Sequence, residues 1–237
     1  MVLKVELHSH TDDDPCDRIP HTTEALVDRA AALGYGAVAI TLHDHQLDLR
    51  PFVAYAERRG VVLIPGVERT IEGAHVLLLN FVCDTSSVRT FKELARIKAS
   101  SDGLVIAPHP FFRLANCVGR HLDRHTVLFD AVEYNAMFTR YINFNTRAVE
   151  WAAVHGKPVV GAGDVHRLRQ MGTTYSLVDV DGEPTPSAIC SAIKRGRVEV
   201  RAEPMSIVKA GVVMADILAA EVFPRPWAML TGFHAKV

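Results

Sequence analysis

Short apolar runs alternate with amphipathic stretches along most of the chain. Several runs are continuously apolar, which is typical of parallel strands covered on both faces. They predict strands at Leu3–Leu7, Ala37–Thr41, Val61–Ile64, His75–Phe81, Leu104–Ala107, Ala131–Tyr134, Val159–Ala162 and Tyr175–Val180. Apolar residues at helical spacing predict helices near 23–33, 51–59, 88–99, 143–155 and 186–194. This alternation indicates βαβ units and a parallel sheet.

The alternation stops near residue 200, where prolines become frequent. We therefore expect a barrel domain over 1–200 and a C-terminal tail over 201–237, packed on the barrel or appended to it, with a short helix near 212–222. The length of 237 residues suits one domain of barrel size and is short for two. A doubly wound open sheet is the alternative to a closed barrel.

Composition narrows the class of protein only a little. The chain is 49% hydrophobic and 22% charged, and its formal net charge of -1 gives no strong nucleic-acid-binding signature. Its four cysteines contain no CxxC pair, which argues against a disulfide framework and for a reduced, cytoplasmic protein. Lys4 and Glu6 interrupt the first apolar run, and the longest apolar stretch is too short to cross a bilayer. We expect no membrane attachment, and the oligomeric state stays open.

Histidines and carboxylates gather at the ends of the predicted strands. His8 and His10 close the first apolar run, and their i, i+2 spacing points both side chains to one face. Asp164 and His166 share the same spacing after the seventh run. The further members of this set are His43, Glu68, His75, His109 and Glu133. Active sites collect at the carboxyl ends of strands in α/β barrels, so these residues predict one site.

This set contains more candidate ligands than one cation can bind. Imidazoles and carboxylates without a thiolate favour two or three divalent ions of zinc, manganese or iron. A run of three aspartates, Asp12, Asp13 and Asp14, follows His10, and we favour Asp14 as the ligand among them. Glu133 lies within a strand, where it is either a ligand or a group that orients a ligand histidine.

The motifs, taken in order, resemble those of the PHP (polymerase and histidinol phosphatase) superfamily. They are HSHTDDDP (8–15), AITLHDH (39–45), PGVE (65–68), GAHVLL (73–78), APHP (107–110), AVEYN (131–135) and GAGDVHRL (161–168). The resemblance covers roughly 1–180 and implies a distorted (β/α)7 TIM-like barrel with up to three metals at its C-terminal face. Leu42 stands where many members have an aspartate.

The resemblance also implies how the ligands divide. One site would use His8, His10, Glu68 and Asp164, and a second would share Glu68 with His75 and His109. A third would use an aspartate of the 12–14 run together with His43 and His166.

We therefore expect a metal-dependent phosphoesterase. A hydroxide that bridges two ions would attack a phosphomonoester or phosphodiester. Glu68, Asp164 and His166 are the expected catalytic residues, with Asp164 or a neighbouring histidine carrying protons. The expected substrate is a small phosphorylated molecule or a nucleotide. Four arginines near the motifs are candidate phosphate ligands, namely Arg18, Arg113, Arg140 and Arg167.

Two other functions remain open. A metal-dependent amidohydrolase would also begin with HxH, but such enzymes often carry a carboxylated lysine after a middle strand, and no lysine ends a predicted strand. A metal-binding regulatory domain without activity is the second, although its site should have lost ligands. A dinucleotide site at Gly161-Ala162-Gly163 is disfavoured, since His166 stands where the third glycine belongs.

Overall fold

The structure is a computed structural model that describes residues 1–113 and 116–222. Within these ranges a sheet of nine strands is surrounded by helices. The strands are β1 Val2–Glu6, β2 Ala37–Ile40, β3 Val62–Ile71, β4 Ala74–Leu79, β5 Leu104–Ala107, β6 Ala131–Asn135, β7 Val159–Ala162, β8 Thr174–Asp179 and β9 Val198–Ala202. The α-helices are α1 Thr23–Ala32, α2 Arg50–Glu57, α3 Phe91–Ala99, α4 Arg120–Arg124, α5 Asn145–His155, α6 Pro186–Lys194 and α7 Ile207–Val222.

The sheet curves into a nearly closed barrel. Its strand order is β7-β6-β5-β4-β3-β2-β1-β8-β9. The two strands β7 and β8 also lie close together, although the strand order does not pair them. The Gly161 amide donates to Ser176 Oγ at 2.9 Å, and Ser176 Oγ donates to the Gly161 carbonyl at 3.0 Å. A Cβ at Gly161 would lie 2.5 Å from the Tyr175 carbonyl oxygen, so this closure requires glycine. The α/β barrel expected from the sequence is confirmed, with nine strands where the apolar runs predict eight and the resemblance implies seven.

The expectation of a parallel sheet is wrong for three strands. β4 runs antiparallel to both β3 and β5, β8 is antiparallel to β1, and β9 is antiparallel to β8. For β4 the reason is the connection, since only Glu72 and Gly73 join it to β3, both with positive φ, and a parallel crossover needs a dozen residues or more. The hairpin pairs Thr70 with His75, so the start of β4 lies at the edge where the parallel strands end.

Helices cover the barrel where the apolar spacing predicts them. Thr22 caps α1, and Thr90 with Glu93 forms a capping box at α3. The barrel interior is filled by side chains such as Val5, Ile64 and Leu77, all fully buried. The metal-ligand types therefore lie above an apolar core, at one end of the barrel.

The last described segment packs on the barrel. β9, which the sequence analysis did not predict, pairs with β8, and Met205 and Val213 then pack with Ala136. α7 begins at Ile207, earlier than the helix predicted near 212–222. The remainder of the predicted tail, 223–237, lies outside the described residues. Among the described residues, no helix has the length and apolar character of a transmembrane span.

Candidate metal centre

The barrel brings all nine predicted metal residues into one contiguous cluster. Backbone contacts align the loops that carry them: Ser9 bridges to Val165, and His43 bridges to Glu68. The members of the cluster are His8, His10, Asp14, His43, Glu68, His75, His109, Asp164 and His166. Parallel strands ending at one edge, together with the β3–β4 hairpin, explain how positions so distant in sequence meet.

The Glu68 carboxylate lies at the centre of the cluster and is 1% exposed. Its Oε2 lies 3.2 Å from Nε2 of His8 and 3.1 Å from Nε2 of His43. Its Oε1 lies 2.8 Å from Nδ1 of His75 and 3.3 Å from Nε2 of His109. Burial by itself raises the pKa of Glu68, but the surrounding histidines outweigh burial and hold it well below the usual range. The carboxylate is therefore ionised and shared by two groups of imidazoles.

Asp164 provides the second inward carboxylate. Its Oδ1 lies 3.4 Å from Nε2 of His8, 3.7 Å from Nε2 of His10 and 3.3 Å from Nδ1 of His166. Burial opposes ionisation, yet the charges of His8 and His166 hold the pKa of Asp164 well below its usual value. Asp164 has a φ of 47°, a backbone conformation uncommon outside glycine, and so does His109 with 31°. Such backbone is often found where a side chain is fixed for function.

Carboxylates also hold the outer ring nitrogens of three histidines. Glu133 Oε1 lies 2.9 Å from Nδ1 of His8, and Asp14 Oδ2 lies 2.9 Å from Nδ1 of His10 and 3.0 Å from Nδ1 of His43. In each case Nε2 is left to face inward. Carboxylates placed behind a ligand histidine fix its tautomer and raise its basicity.

Asp14 and Asp17 take different places in the loop after β1. The Asp14 Oδ1 accepts the backbone amides of Cys16 and Asp17, each at 2.9 Å, while its Oδ2 faces two imidazoles from behind. Asp17 Oδ2 instead lies 2.9 Å from Nε2 of His166. The sequence alone does not single out Asp17, because four acidic residues share this short loop. They can be told apart only by the contacts that each makes in the folded chain.

The four candidate arginines differ in exposure. Arg18, Arg113 and Arg140 are exposed, whereas Arg167 is half-buried. Arg167 Nη1 donates to the His166 carbonyl at 2.8 Å and to the Arg18 carbonyl at 3.3 Å. Arg167 is therefore the best fixed of the four beside the cluster.

The cluster fits divalent cations. In the described part of the chain, Nε2 of His8 and Nε2 of His10 are buried without a hydrogen-bond partner, which is costly unless a ligand is bound. Three groups have donor atoms within 4.8 Å of one another and can each hold an ion: His10 with His43 and His166, His8 with His10 and Glu68, and His43 with Glu68 and His75. Imidazole and carboxylate donors suit zinc, manganese or iron.

Sequence comparisons match parts of the chain. A PHP-associated family model matches residues 143–198, a range that contains β7, Asp164 and His166. A segment of 68 residues is 40% identical to the PolC-type DNA polymerase III of Streptococcus pyogenes. That segment is 29% of this chain and spans only 5% of the polymerase.

Solved structures share the fold over most of the chain. A two-domain protein of Bacteroides vulgatus containing a predicted PHP-like metal-dependent phosphoesterase has a TM-score of 0.67, with 16% identity over 93% of this chain and 70% of that one. The lesion-specific endonuclease PfuEndoQ of Pyrococcus furiosus has a TM-score of 0.56, with 15% identity over 90% of this chain and 66% of that one. An amidohydrolase of Chromobacterium violaceum has a TM-score of 0.54, with 15% identity over 82% of this chain and 97% of that one.

At these identities the structural likenesses speak for the fold alone. The chain is thus similar to PHP-associated proteins in sequence over residues 143–198 and to a PHP-like protein in fold over most of its length.

Proposed function

We propose that this chain is a metal-dependent phosphoesterase that hydrolyses a phosphomonoester or phosphodiester at the Glu68 centre. The observation that carries the proposal is the buried Glu68 carboxylate, with imidazole nitrogens within 3.3 Å of each of its oxygens. A carboxylate placed in this way can bridge two cations. Paired cations are a common arrangement for displacement at phosphorus.

The ligands would divide among up to three ions of zinc, manganese or iron. His8, His10, Glu68 and Asp164 would hold the first. Glu68, His75 and His109 would hold the second. For a third, His43 and His166 would be joined by Asp17 rather than Asp14, because Asp14 already supports two imidazoles from behind.

Divalent cations bound here would supply an activated water at neutral pH and would draw charge from the phosphoryl oxygens. The residues of the chain prepare the site for this chemistry. Glu68 stays ionised because imidazoles surround it. Asp164 and His166 are both partly exposed and lie 3.3 Å apart, so they can carry a proton between the centre and solvent. Arg167 adds a fixed positive charge beside His166.

The amidohydrolase alternative receives less support from the residues. A carboxylated lysine would have to reach the cluster. Lys4 instead donates to the Leu33 carbonyl, and Lys98 donates to Asp130. The likeness to an amidohydrolase is one of fold. A regulatory domain without activity is disfavoured by the completeness of the donor set.

The substrate proposed is a small phosphorylated molecule or a nucleotide, and the end of a nucleic acid is the second candidate. The second candidate is favoured by one observation, the shared fold with a lesion-specific endonuclease. A monoester and a diester probe, p-nitrophenyl phosphate and bis-p-nitrophenyl phosphate, separate the two reaction types.

The test combines elemental analysis with these two probes before and after EDTA. We expect two or three equivalents of metal and hydrolysis that EDTA abolishes and added metal restores. Glu68→Gln should lose both metal and activity, whereas Glu57→Gln, at an exposed position on α2, should keep both. Full metal content and full activity in Glu68→Gln would overturn the proposal.

A further inference from the structure

Among the residues that the structure describes, no carboxylate stands behind His75 or His109 as one does behind His8, His10 and His43. Nδ1 of His109 lies 3.4 Å from Sγ of Cys117, a half-buried thiol. The side-chain nitrogen of Asn116 lies 3.3 Å from both ring nitrogens of His75, so it contacts the ring as a whole and does not stand behind one nitrogen. The thiol behind His109 and the amide that contacts the His75 ring are both neutral groups.

The group behind a histidine affects how strongly the ring nitrogen that faces the centre binds a cation. The ring then carries part of the positive charge, and its outer N–H becomes a stronger donor. A carboxylate accepts that N–H with a full negative charge, whereas a thiol is a weak acceptor. Partners of this kind typically change metal affinity by about 10–100-fold.

His8 and His10, which follow β1, are also less accessible than His75 and His109, whereas His43 is 13% exposed. The side chains of His8 and His10 are 0% exposed, whereas that of His75 is 12% and that of His109 is 8% exposed. Water therefore reaches His75 and His109 more readily than it reaches His8 and His10. An ion bound by His75 and His109 should have a lower affinity and exchange more readily with solvent.

From these contacts we infer that the Glu68–His75–His109 position is the weaker, exchangeable cation site, and that Cys117 is a positioning residue that sets its affinity through His109. The inference rests on the metal binding of the proposed function. If this position is exchangeable, its occupancy, and hence the activity of the protein, follows the free concentration of a divalent cation.

The first experiment is a titration of the metal-free full chain with zinc against a fluorescent chelator. The wild type should show a tight and a weak class of site. Cys117→Asp places a carboxylate behind His109 and should tighten the weak class about tenfold, whereas Cys117→Ala should weaken it about tenfold. Cys83→Ala, at another half-buried thiol, is the matched control and should change neither class.

A second measurement separates positioning from packing. ¹⁵N spectra of the imidazoles report which ring nitrogen carries the proton. In the wild type, His109 should hold its proton on Nδ1, and Cys117→Ala should mix the two tautomers while Cys117→Asp restores one. A residue that only fills space would change the melting temperature without changing the tautomer.

A second variant keeps the test informative if a Cys117 variant does not fold. It removes a carboxylate from behind a histidine, whereas Cys117→Asp adds one. Asp14→Asn removes the carboxylate behind His10 and His43 and should loosen the tight class toward the weak one. Equal affinities in the wild type, or a weak class unaffected by Cys117→Asp together with a tight class unaffected by Asp14→Asn, would overturn the inference. Those outcomes leave the proposed function standing, whereas a wild type that binds no zinc at all would overturn both.

Discussion

The two sides of the Glu68 centre use the same kind of ligand in different surroundings. On the β1 side, His8 and His10 are fully buried, and carboxylates of Glu133 and Asp14 stand behind them. On the β4–β5 side, a thiol stands behind His109, and an amide contacts both ring nitrogens of His75. The two sides present the same type of ligand, imidazole, to the centre. They differ in the groups that contact those imidazoles from outside the centre.

The difference has an origin in the fold. Glu133 lies on β6 within the barrel, and Asp14 lies in a loop tied to the barrel through His10 and His43. Cys117 and Asn116 are half-buried and lie in the segment between β5 and α4. Of these four partners, Glu133 alone belongs to a strand, whereas the other three lie on connecting segments, where variation between related proteins is expected.

The largest effect should come from removing one ligand on each side. We expect His8→Ala to reduce kcat/KM about a thousandfold, because a lost cation removes several kcal/mol of transition-state stabilisation. We expect His109→Ala to lose the weak class of zinc only, with activity partly restored by excess metal. Metal titration together with phosphatase assays at low and high zinc checks both. Identical defects in the two variants would contradict the difference between the sides.

A smaller effect should follow from changing a group behind a ligand. Glu133→Gln keeps the size of the side chain and an oxygen for the His109 backbone amide, which Glu133 Oε2 now accepts at 2.7 Å. It removes the negative charge behind Nδ1 of His8. We expect about 10–100-fold weaker binding in the tight class and an unchanged fold by circular dichroism. Glu133→Asp, which keeps the charge, should retain more of the affinity than Glu133→Gln.

The sequence alone predicts the barrel and most of the cluster, because strand ends in such folds share one edge. It does not predict the direction of β4, which depends on a two-residue hairpin that apolar runs do not reveal. It also does not separate Asp14 from Asp17, since both are acidic residues in one loop and hydrogen bonding alone tells them apart. Cys117 is missed for a different reason, because a thiol behind a histidine leaves no spacing signal.

The β1 side also carries a buried acid that should make stability depend on pH. Glu6 is 0% exposed, and its Oε1 accepts the amides of Leu7, His8 and Gly163. Burial raises the pKa of Glu6 to about 8. The folded chain thus holds a proton that the unfolded chain releases near its ordinary pKa of 4.5. This contribution to stability is fully present below that pKa and is lost as pH rises through about 8.

Glu6→Gln stays neutral at every pH and keeps an oxygen for the three amides. Metal-free wild type should therefore lose stability relative to Glu6→Gln between pH 5 and 8, by a few kcal/mol at most, since one pKa unit corresponds to about 1.4 kcal/mol. Denaturant unfolding of the metal-free proteins at several pH values measures this difference. Parallel stability curves for the two proteins would contradict it.

The smallest effect concerns the arginines that flank the two sides. Arg167 is half-buried and fixed by the His166 and Arg18 carbonyls, so its guanidinium is already held for a phosphoryl oxygen at little further entropic cost. Arg113 is exposed, and its guanidinium lies 6.0 Å from the Phe144 ring. We expect Arg167→Ala to raise KM about tenfold, which is the loss of one charged hydrogen bond, with little change in kcat.

Arg113→Ala should change KM less than twofold, because an exposed charged contact contributes little. Inhibition by inorganic phosphate gives the same comparison without turnover and should weaken in Arg167→Ala alone. If Arg113→Ala has the larger effect on both KM and phosphate inhibition, the phosphoryl group enters on the β5 side. The exchangeable ion, rather than the firmly held one, would then lie nearer the substrate.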